Sequence, residues 1–150
     1  MKCRPKTEIG IYILNYSGDK ILLGKNKFES FWRILNTKLN FGESFEDCAC
    51  RILREQLNFK VNVDRIKFLC SLNVLDKSTK FHSIEINYFI QIYENEELEL
   101  SKIKNLYIQW NLFNIDDIFA NKNEIFCGIL IFIKKYNISN FSQIKNVLSN

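Results

Sequence analysis

The chain has 150 residues and a mass of 17.9 kDa, so we predict that residues 1–150 form a single domain. A hydrophobic fraction of 47% and an aromatic fraction of 14% exclude a disordered chain. The formal net charge of +4 favours anionic ligands weakly and does not by itself indicate nucleic-acid binding. No segment is typical of a signal peptide or a bilayer-spanning helix, so we expect a soluble cytoplasmic protein with no membrane partner.

Five cysteines are distributed along the chain, and their spacing matches no zinc site. Cys48 and Cys50 lie in a helical pattern, whereas Cys3, Cys70 and Cys127 lie far from them in sequence. An odd number of cysteines in a cytosolic protein indicates reduced, partly buried thiols rather than a disulfide framework.

The N-terminal part predicts a hairpin followed by a short strand. Residues 9–14 are apolar and β-branched, residues 15–19 have turn chemistry, and residues 20–24 are again apolar. Residues 31–35 carry large side chains and predict a further short strand.

One amphipathic helix is predicted near the middle of the chain. Ser44 is a good N-cap residue, and Asp47, three residues later, completes a pattern like a capping box. Apolar residues then recur at helical spacing, and Asn58 is a plausible residue for the C-terminal cap. An irregular loop over residues 36–43 is expected to precede this helix.

The C-terminal half predicts strands, a closing helix and an acidic turn between them. The predicted elements are strands at 66–75, 84–93 and 107–113, a solvated turn at 94–97, a helical turn at 115–118 and a helix at 124–136. This order predicts an α+β fold, an α/β/α sandwich with a mixed curved sheet between helices.

The segment 37–59 reads TKLNFGESFEDCACRILREQLNF and resembles the Nudix box. Glu43 matches the first glutamate of that box, and Arg51 matches the arginine that follows after seven intervening residues. The flanking segments 21–25 and 107–110 also resemble that family's strands. The resemblance implies the Nudix fold, and it is closest in pattern to the GDP-mannose mannosyl hydrolases.

The box departs from the family pattern where the family holds Mg²⁺. The resemblance implies three acidic residues on one helix face, at positions 52, 55 and 56, but these are Ile52, Glu55 and Gln56. The Pro-Gly-Gly entry, whose backbone approaches the metal in the family, corresponds to residues 35–37, which read Leu-Asn-Thr. The late glycine is Asn58. We therefore interpret the box as degenerate.

The GDP-mannose mannosyl hydrolases also have an aliphatic residue at the position of Ile52. Their metal-binding glutamate corresponds to Gln56, and their Gln-His pair corresponds to Lys104 and Asn105. An amide side chain has no pKa that allows it to act as a base near neutral pH. That subfamily's mechanism is therefore missing as well, and we assign no catalytic residue.

Three carboxylates, Glu43, Glu46 and Glu55, are weak candidates for a residual metal site. Each has a structural alternative: Glu43 ties the loop to the helix, while Glu46 and Glu55 lie on a solvated helix face beside Arg51 and Arg54. The structural alternative is the favoured one for all three.

Four residues are candidates for ligand binding. Lys25, Lys38 and Arg51 could meet a ligand phosphate, and Trp32 or its neighbour Phe31 could stack a base. The alternatives are that Arg51 pairs with Glu55 at i+4 and that Trp32 belongs to the core. For His82, the single histidine, we expect a structural or surface role.

These observations favour a catalytically impaired Nudix-fold protein that binds a nucleotide, a nucleotide sugar or a macromolecular partner. We expect no cofactor, with Mg²⁺ needed only if hydrolase activity survives. Two alternatives remain open: an active Mg²⁺-dependent hydrolase of nucleoside diphosphate derivatives, and a scaffold that docks protein or RNA.

Overall fold

A computed structural model describes residues 4–105 and 107–149 of the chain. The strands are β1 (Lys6–Leu14), β2 (Ile21–Asn26), β3 (Trp32–Arg33), β4 (Leu35–Thr37), β5 (Lys67–Asp76), β6 (Phe81–Gln91) and β7 (Ile108–Phe113). The α-helices are α1 (Phe45–Leu57), α2 (Glu94–Ser101), α3 (Ile115–Ala120) and α4 (Cys127–Lys135), with 3-10 helices at Val63–Arg65, Lys122–Glu124 and Phe141–Ser149.

All these strands join one mixed sheet, as the sequence predicts. Five strands follow the order β3-β2-β1-β6-β5, while β4 pairs with β1 and β7 pairs with β2. Strands β1 and β6 are parallel over nine residue pairs, from Lys6 opposite Ser83 to Leu14 opposite Gln91. The other pairings are antiparallel.

The sheet is covered on both faces, because residues along β1 alternate between two cores. Ile9, Ile11 and Ile13 pack with the apolar side of α1. Tyr12 and Leu14 point the other way and pack with α3, α4 and the C-terminal 3-10 helix. The predicted α/β/α arrangement is therefore confirmed, and the sheet separates an α1 face from an α4 face.

Helix α1 begins and ends where the sequence predicts. The Ser44 side chain accepts a hydrogen bond of 3.1 Å from the backbone N–H of Asp47, and Asn58 adopts the left-handed conformation at φ 50°. The irregular loop before the helix begins at residue 38 rather than 36, because Leu35, Asn36 and Thr37 pair with β1.

The prediction of a solvated turn at 94–97 is wrong, because these residues begin α2. Glu96 accepts from the backbone N–H of Tyr93 at 2.8 Å, which caps the helix, and both oxygens of its carboxylate bind Arg65 at 2.7 Å. The helix therefore depends on a residue 31 positions earlier, which local patterning does not reveal.

The predicted closing helix at 124–136 is shorter than expected. The 3-10 turn Lys122–Glu124 precedes it, Phe126 donates its backbone N–H to the carbonyl of Trp32 at 3.0 Å, and α4 begins only at Cys127. The 3-10 helix Phe141–Ser149 was not predicted.

The cysteine prediction is confirmed for the four residues that the structure describes. Cys48 and Cys70 are buried, Cys50 and Cys127 are half-buried, and all four are free thiols. Cys3 lies outside the described residues. Among the described residues, no helix has the length and apolar character needed to cross a membrane.

Candidate functional site

The loop before α1 is held by one arginine. Arg51 donates from Nε to Glu43 at 2.8 Å and from Nη2 to the other oxygen of the same carboxylate at 3.1 Å. Its Nη2 also donates to the carbonyl of Lys38 at 2.8 Å, and its Nη1 reaches Glu55 at 3.3 Å. This bidentate arrangement is the strong form of an arginine–carboxylate pair.

These contacts favour the structural alternatives for both residues. The hydrogen bonds from Arg51, followed by the backbone N–H of Asn40, lower the pKa of Glu43 to about 2. Glu43 thus ties the loop to the helix, and Arg51 has its donors engaged within the protein. The expectation that Arg51 meets a ligand phosphate has no support in this geometry. Its pairing with Glu55 is observed.

The other carboxylates do not converge on a metal position. Glu46 accepts a hydrogen bond of 3.0 Å from the Tyr88 hydroxyl, whereas the Glu55 side chain is 56% exposed and touches only the outer edge of Arg51. Within residues 4–105 and 107–149, no group of three or more His, Cys, Asp or Glu residues could hold a metal ion.

The two substituted positions of the box serve other purposes. Ile52 is 1% exposed and packs in the core beneath α1, so it does not share the solvent-facing side of Glu55. Gln56 donates from Nε2 to the carbonyl of Asn36 at 3.0 Å. The resemblance implies that the backbone of residues 35–37 and the side chain at 56 both lie near a metal, but here the Gln56 side chain bonds directly to the Asn36 carbonyl. The residues present do not fit Mg²⁺.

The remaining ligand-binding candidates are dispersed. Trp32 is 7% exposed and packs against Phe113 with a centroid distance of 5.0 Å, so its core alternative is the observed one. Lys25 lies on the α4 face with Nζ 6.0 Å from the Trp32 ring centroid. Lys38 is exposed, and its carbonyl serves Arg51.

Asn105, which the resemblance aligns with the histidine of the GDP-mannose mannosyl hydrolases, has a structural contact. The Asn105 side chain accepts a hydrogen bond of 2.8 Å from the backbone N–H of Tyr107, which stabilises a turn before β7. His82 lies with Nε2 2.6 Å from the Asn73 amide oxygen and bridges two antiparallel strands. Both residues therefore have structural contacts.

A cavity of about 990 Å³, here called the basic cavity, opens on the α4 face. Its cations are Arg4, Lys6, Arg33, Lys77 and Lys80, its aromatic side chains are Phe31, Phe81 and Phe126, and its carboxylates are Glu29 and Asp76. Phe31 is 45% exposed, so its ring has a free face for stacking. Glu29 and Arg33 also line a narrower cleft that reaches Gln56, so the basic cavity adjoins the box.

Arg33 is bonded less completely than Arg51. Its guanidinium lies over the Phe126 ring at 4.1 Å, while its closest carboxylate oxygens, on Glu8 and Glu29, are 3.7 and 4.0 Å away. These separations exceed hydrogen-bonding length. The Nε of Arg33 is buried without a partner. Arg33 therefore retains donor capacity beside the cavity.

Behind Arg33 the sheet buries polar groups between β1 and β6. Among the residues that the structure describes, Ser83 Oγ is buried without a hydrogen-bond partner, and Glu85 is 5% exposed. Burial, and then repulsion from Glu8, raises the pKa of Glu85 to about 7, against a weaker lowering by Arg33. Glu8, Arg33 and Glu85 thus form a charged cluster on the same face of the sheet as the basic cavity.

The basic cavity is not evident from the sequence, although Phe31, one of its lining residues, is a possible stacking residue. The cavity is lined by residues that are far apart in sequence, among them Lys6, Arg33 and Lys77. Lys6 comes close to the turn that holds Lys77 because β1 pairs in parallel with β6. The available signal was the basic composition of the 77–80 turn and of the N-terminal segment.

No protein-family model matches the chain. Among solved structures, it is similar to a NUDIX hydrolase from Nitrosomonas europaea, with a TM-score of 0.65, 16% identity and 89% of each chain covered. A MutT/nudix family protein from Enterococcus faecalis matches with a TM-score of 0.58 and 21% identity. The match covers 76% of this chain and 45% of the Enterococcus chain, so this chain spans less than half of that protein's length. The NUDIX domain of Shewanella oneidensis NrtR, complexed with ADP ribose, matches with a TM-score of 0.56 and 13% identity over 79% of each chain.

Proposed function

From the Nudix fold that this chain shares with those structures, we propose that it binds a nucleotide-type ligand without Mg²⁺ and does not hydrolyse it. Fold alone leaves activity open, so the proposal depends on the side chains of the box and on the cavity beside it.

The observation that carries the proposal is the hydrogen bond from Gln56 to the carbonyl of Asn36. The Gln56 amide N–H lies against the carbonyl oxygen that a bound cation would need as a ligand. The carboxylate of Glu43 is already bound by Arg51. Mg²⁺ requires oxygen ligands in near-octahedral geometry, usually with ionised carboxylates. Without the metal, the developing charge of a phosphoryl or glycosyl transfer lacks its main stabilising group.

The ligand side of the proposal is supported by the basic cavity. Its cations can bind phosphate directly, and its aromatic side chains can stack a ring, worth roughly 1–3 kcal/mol per base. The complex of the Shewanella domain with ADP ribose is a precedent for a nucleotide derivative bound to this fold.

The test combines turnover and binding on the purified protein. We expect no Mg²⁺-dependent release of product from nucleoside triphosphates, ADP-ribose, dinucleoside polyphosphates or GDP-mannose. Calorimetric titration of the same compounds should give the same affinity in Mg²⁺ and in EDTA.

Three results would contradict the proposal. Turnover that disappears in a Glu55→Gln variant would indicate a surviving hydrolase. Affinity that disappears in EDTA would indicate a metal-bridged ligand. Absence of nucleotide binding, together with salt-sensitive binding to RNA or capture of a protein partner, would favour the scaffold alternative.

A further inference from the structure

The cations of the basic cavity are concentrated at one end of the sheet. Lys6 begins β1, and its backbone lies opposite Ser83 at the start of β6. Lys77 and Lys80 occupy the turn between β5 and β6, and Arg4 precedes β1. The parallel pairing of β1 and β6 therefore brings four cationic side chains to one rim of the cavity.

This rim holds positive charge that the protein does not neutralise. In the part of the chain that the structure describes, no carboxylate lies within ion-pairing distance of Arg4, Lys6, Lys77 or Lys80. Asp76 also lines this rim, and its carboxylate accepts from the backbone N–H and hydroxyl of Ser78 at 3.0 and 2.6 Å, so its negative charge offsets only part of the four positive charges. Like charges gathered at one rim repel each other, and a bound anion would relieve that repulsion.

The α1 face has the opposite character. Its helix begins with Glu46 and Asp47, follows Glu43 and carries Glu55, while Arg51 is engaged by two of these carboxylates. Without a metal, a phosphate brought to this face would meet these carboxylates together with the exposed cations Lys38 and Arg54, so we expect it to be bound less favourably there than at the rim.

We propose that the basic cavity binds a nucleoside di- or triphosphate with its phosphates over Arg4, Lys6, Lys77 and Lys80, and hence directed away from α1. This orientation rests on the proposed function, and it is the reverse of that implied by the box, where phosphates lie at the helix. The ring lies further in, between the free face of Phe31 and the loosely bonded guanidinium of Arg33.

The dimensions of the sheet are compatible with such a ligand. Lys6 and Glu8 project from the same side of β1, and two residues of a strand span roughly 6.6 Å. Glu8 lies beside Arg33, with an oxygen–nitrogen distance of 3.7 Å. A ring near Arg33 is thus separated from the cationic rim by a length that a pentose can bridge.

The experiment compares two double variants that change the net charge equally. Lys77→Glu with Lys80→Glu reverses the charge of the rim, and Lys38→Glu with Arg54→Glu reverses two exposed cations beside the box. Nucleoside mono-, di- and triphosphates of one base are titrated calorimetrically in EDTA. Affinity for wild type should rise with phosphate number, and the rim variant should weaken triphosphate binding about tenfold or more, with a smaller effect on the monophosphate.

The box variant should retain its affinity within about twofold. Affinity that is independent of phosphate number, or that falls more in the box variant, would overturn the orientation while leaving the proposed function intact. Absence of binding to wild type would overturn both. If the rim variant does not fold, judged by circular dichroism, the milder pair Lys77→Gln with Lys80→Gln applies the same test.

Discussion

Two arginine–carboxylate clusters lie on opposite faces of the sheet, and they differ in how completely the arginine is bonded. On the α1 face, Arg51 makes hydrogen bonds of 2.8 and 3.1 Å to Glu43 and a third to the carbonyl of Lys38. On the α4 face, no carboxylate in the described part of the chain lies closer than 3.7 Å to Arg33, although Glu8 and the buried Glu85 are its neighbours.

The difference underlies our proposal that a ligand binds on the α4 face rather than beside the box. Where the resemblance implies a metal site, the polar groups satisfy one another, so a ligand would have to displace internal bonds. On the α4 face, within the described residues, the cations Arg4, Lys6, Lys77 and Lys80 have no carboxylate within ion-pairing distance. Unsatisfied groups have more to gain from a ligand than satisfied ones, and we therefore assign binding to the α4 face.

The largest expected effect concerns Glu85, whose pKa of about 7 exceeds its ordinary value of 4.5. An acid with a raised folded-state pKa lowers stability as the pH rises from its ordinary value towards 7, and the loss remains above that. Glu85→Gln removes this ionisation. We expect the variant to exceed wild type in unfolding free energy by about 3 kcal/mol at pH 8, with the difference vanishing below pH 4.5.

Urea unfolding of both proteins between pH 4 and pH 8 measures this difference, and the exposed Glu124→Gln variant is the matched control. If the Gln variant were less stable than wild type at every pH, Arg33 would already satisfy the Glu85 carboxylate. The contrast between the two arginines would then fail.

A second prediction concerns the pair of Arg51 and Glu43 on the α1 face, whose polar groups are hydrogen-bonded to each other. Arg51→Ala leaves the partly buried Glu43 without its bidentate partner and frees the loop before α1, so we expect a melting temperature roughly 5 °C lower. The exposed Arg54→Ala variant on the same helix should melt within about 1 °C of wild type. Since Glu43 has a pKa lowered to about 2, the Arg51 effect should be present above pH 4.5 and diminish as the pH falls towards 2.

Calorimetric melting at pH 7 and pH 3 checks both parts of this prediction. Equal melting temperatures for the Arg51 and Arg54 variants would mean that the bidentate pair contributes nothing to stability. The α1 cluster could then no longer be called the satisfied one.

The smallest effect concerns the hydrogen bond from Gln56 to the carbonyl of Asn36. Gln56→Glu removes the donor to Asn36 and places a carboxylate against its carbonyl oxygen, so we expect a loss of about 1 kcal/mol in EDTA. Gln56→Met removes the donor without adding charge and should lose less. Millimolar Mg²⁺ should recover part of the loss for the Glu variant alone. Thermal melts of both variants with and without Mg²⁺ provide the measurement, and recovery in the Met variant would contradict this interpretation.

The sequence predicts the parts of this structure that depend on local contacts. The start of α1 follows from Ser44 and its end from Asn58, and the hairpin of β1 and β2 follows from apolar runs and turn residues. The sequence does not predict the parts that depend on contacts between residues far apart along the chain. Helix α2 depends on Arg65, and the basic cavity depends on a parallel pairing that brings Lys6 to the turn of Lys77. Trp32 was named as a ligand residue because composition does not reveal that β3 turns its ring into the core.

The burial of Ile52 limits which sequences can be reached from this one. A glutamate at position 52 would introduce a carboxylate into a core where Ile52 is now 1% exposed, and a glutamate at position 56 would lose the bond to Asn36. Each of these steps towards a metal-binding box lowers stability before the other can compensate. Substitutions that place carboxylates at both positions would therefore need compensating stabilisation elsewhere in the chain.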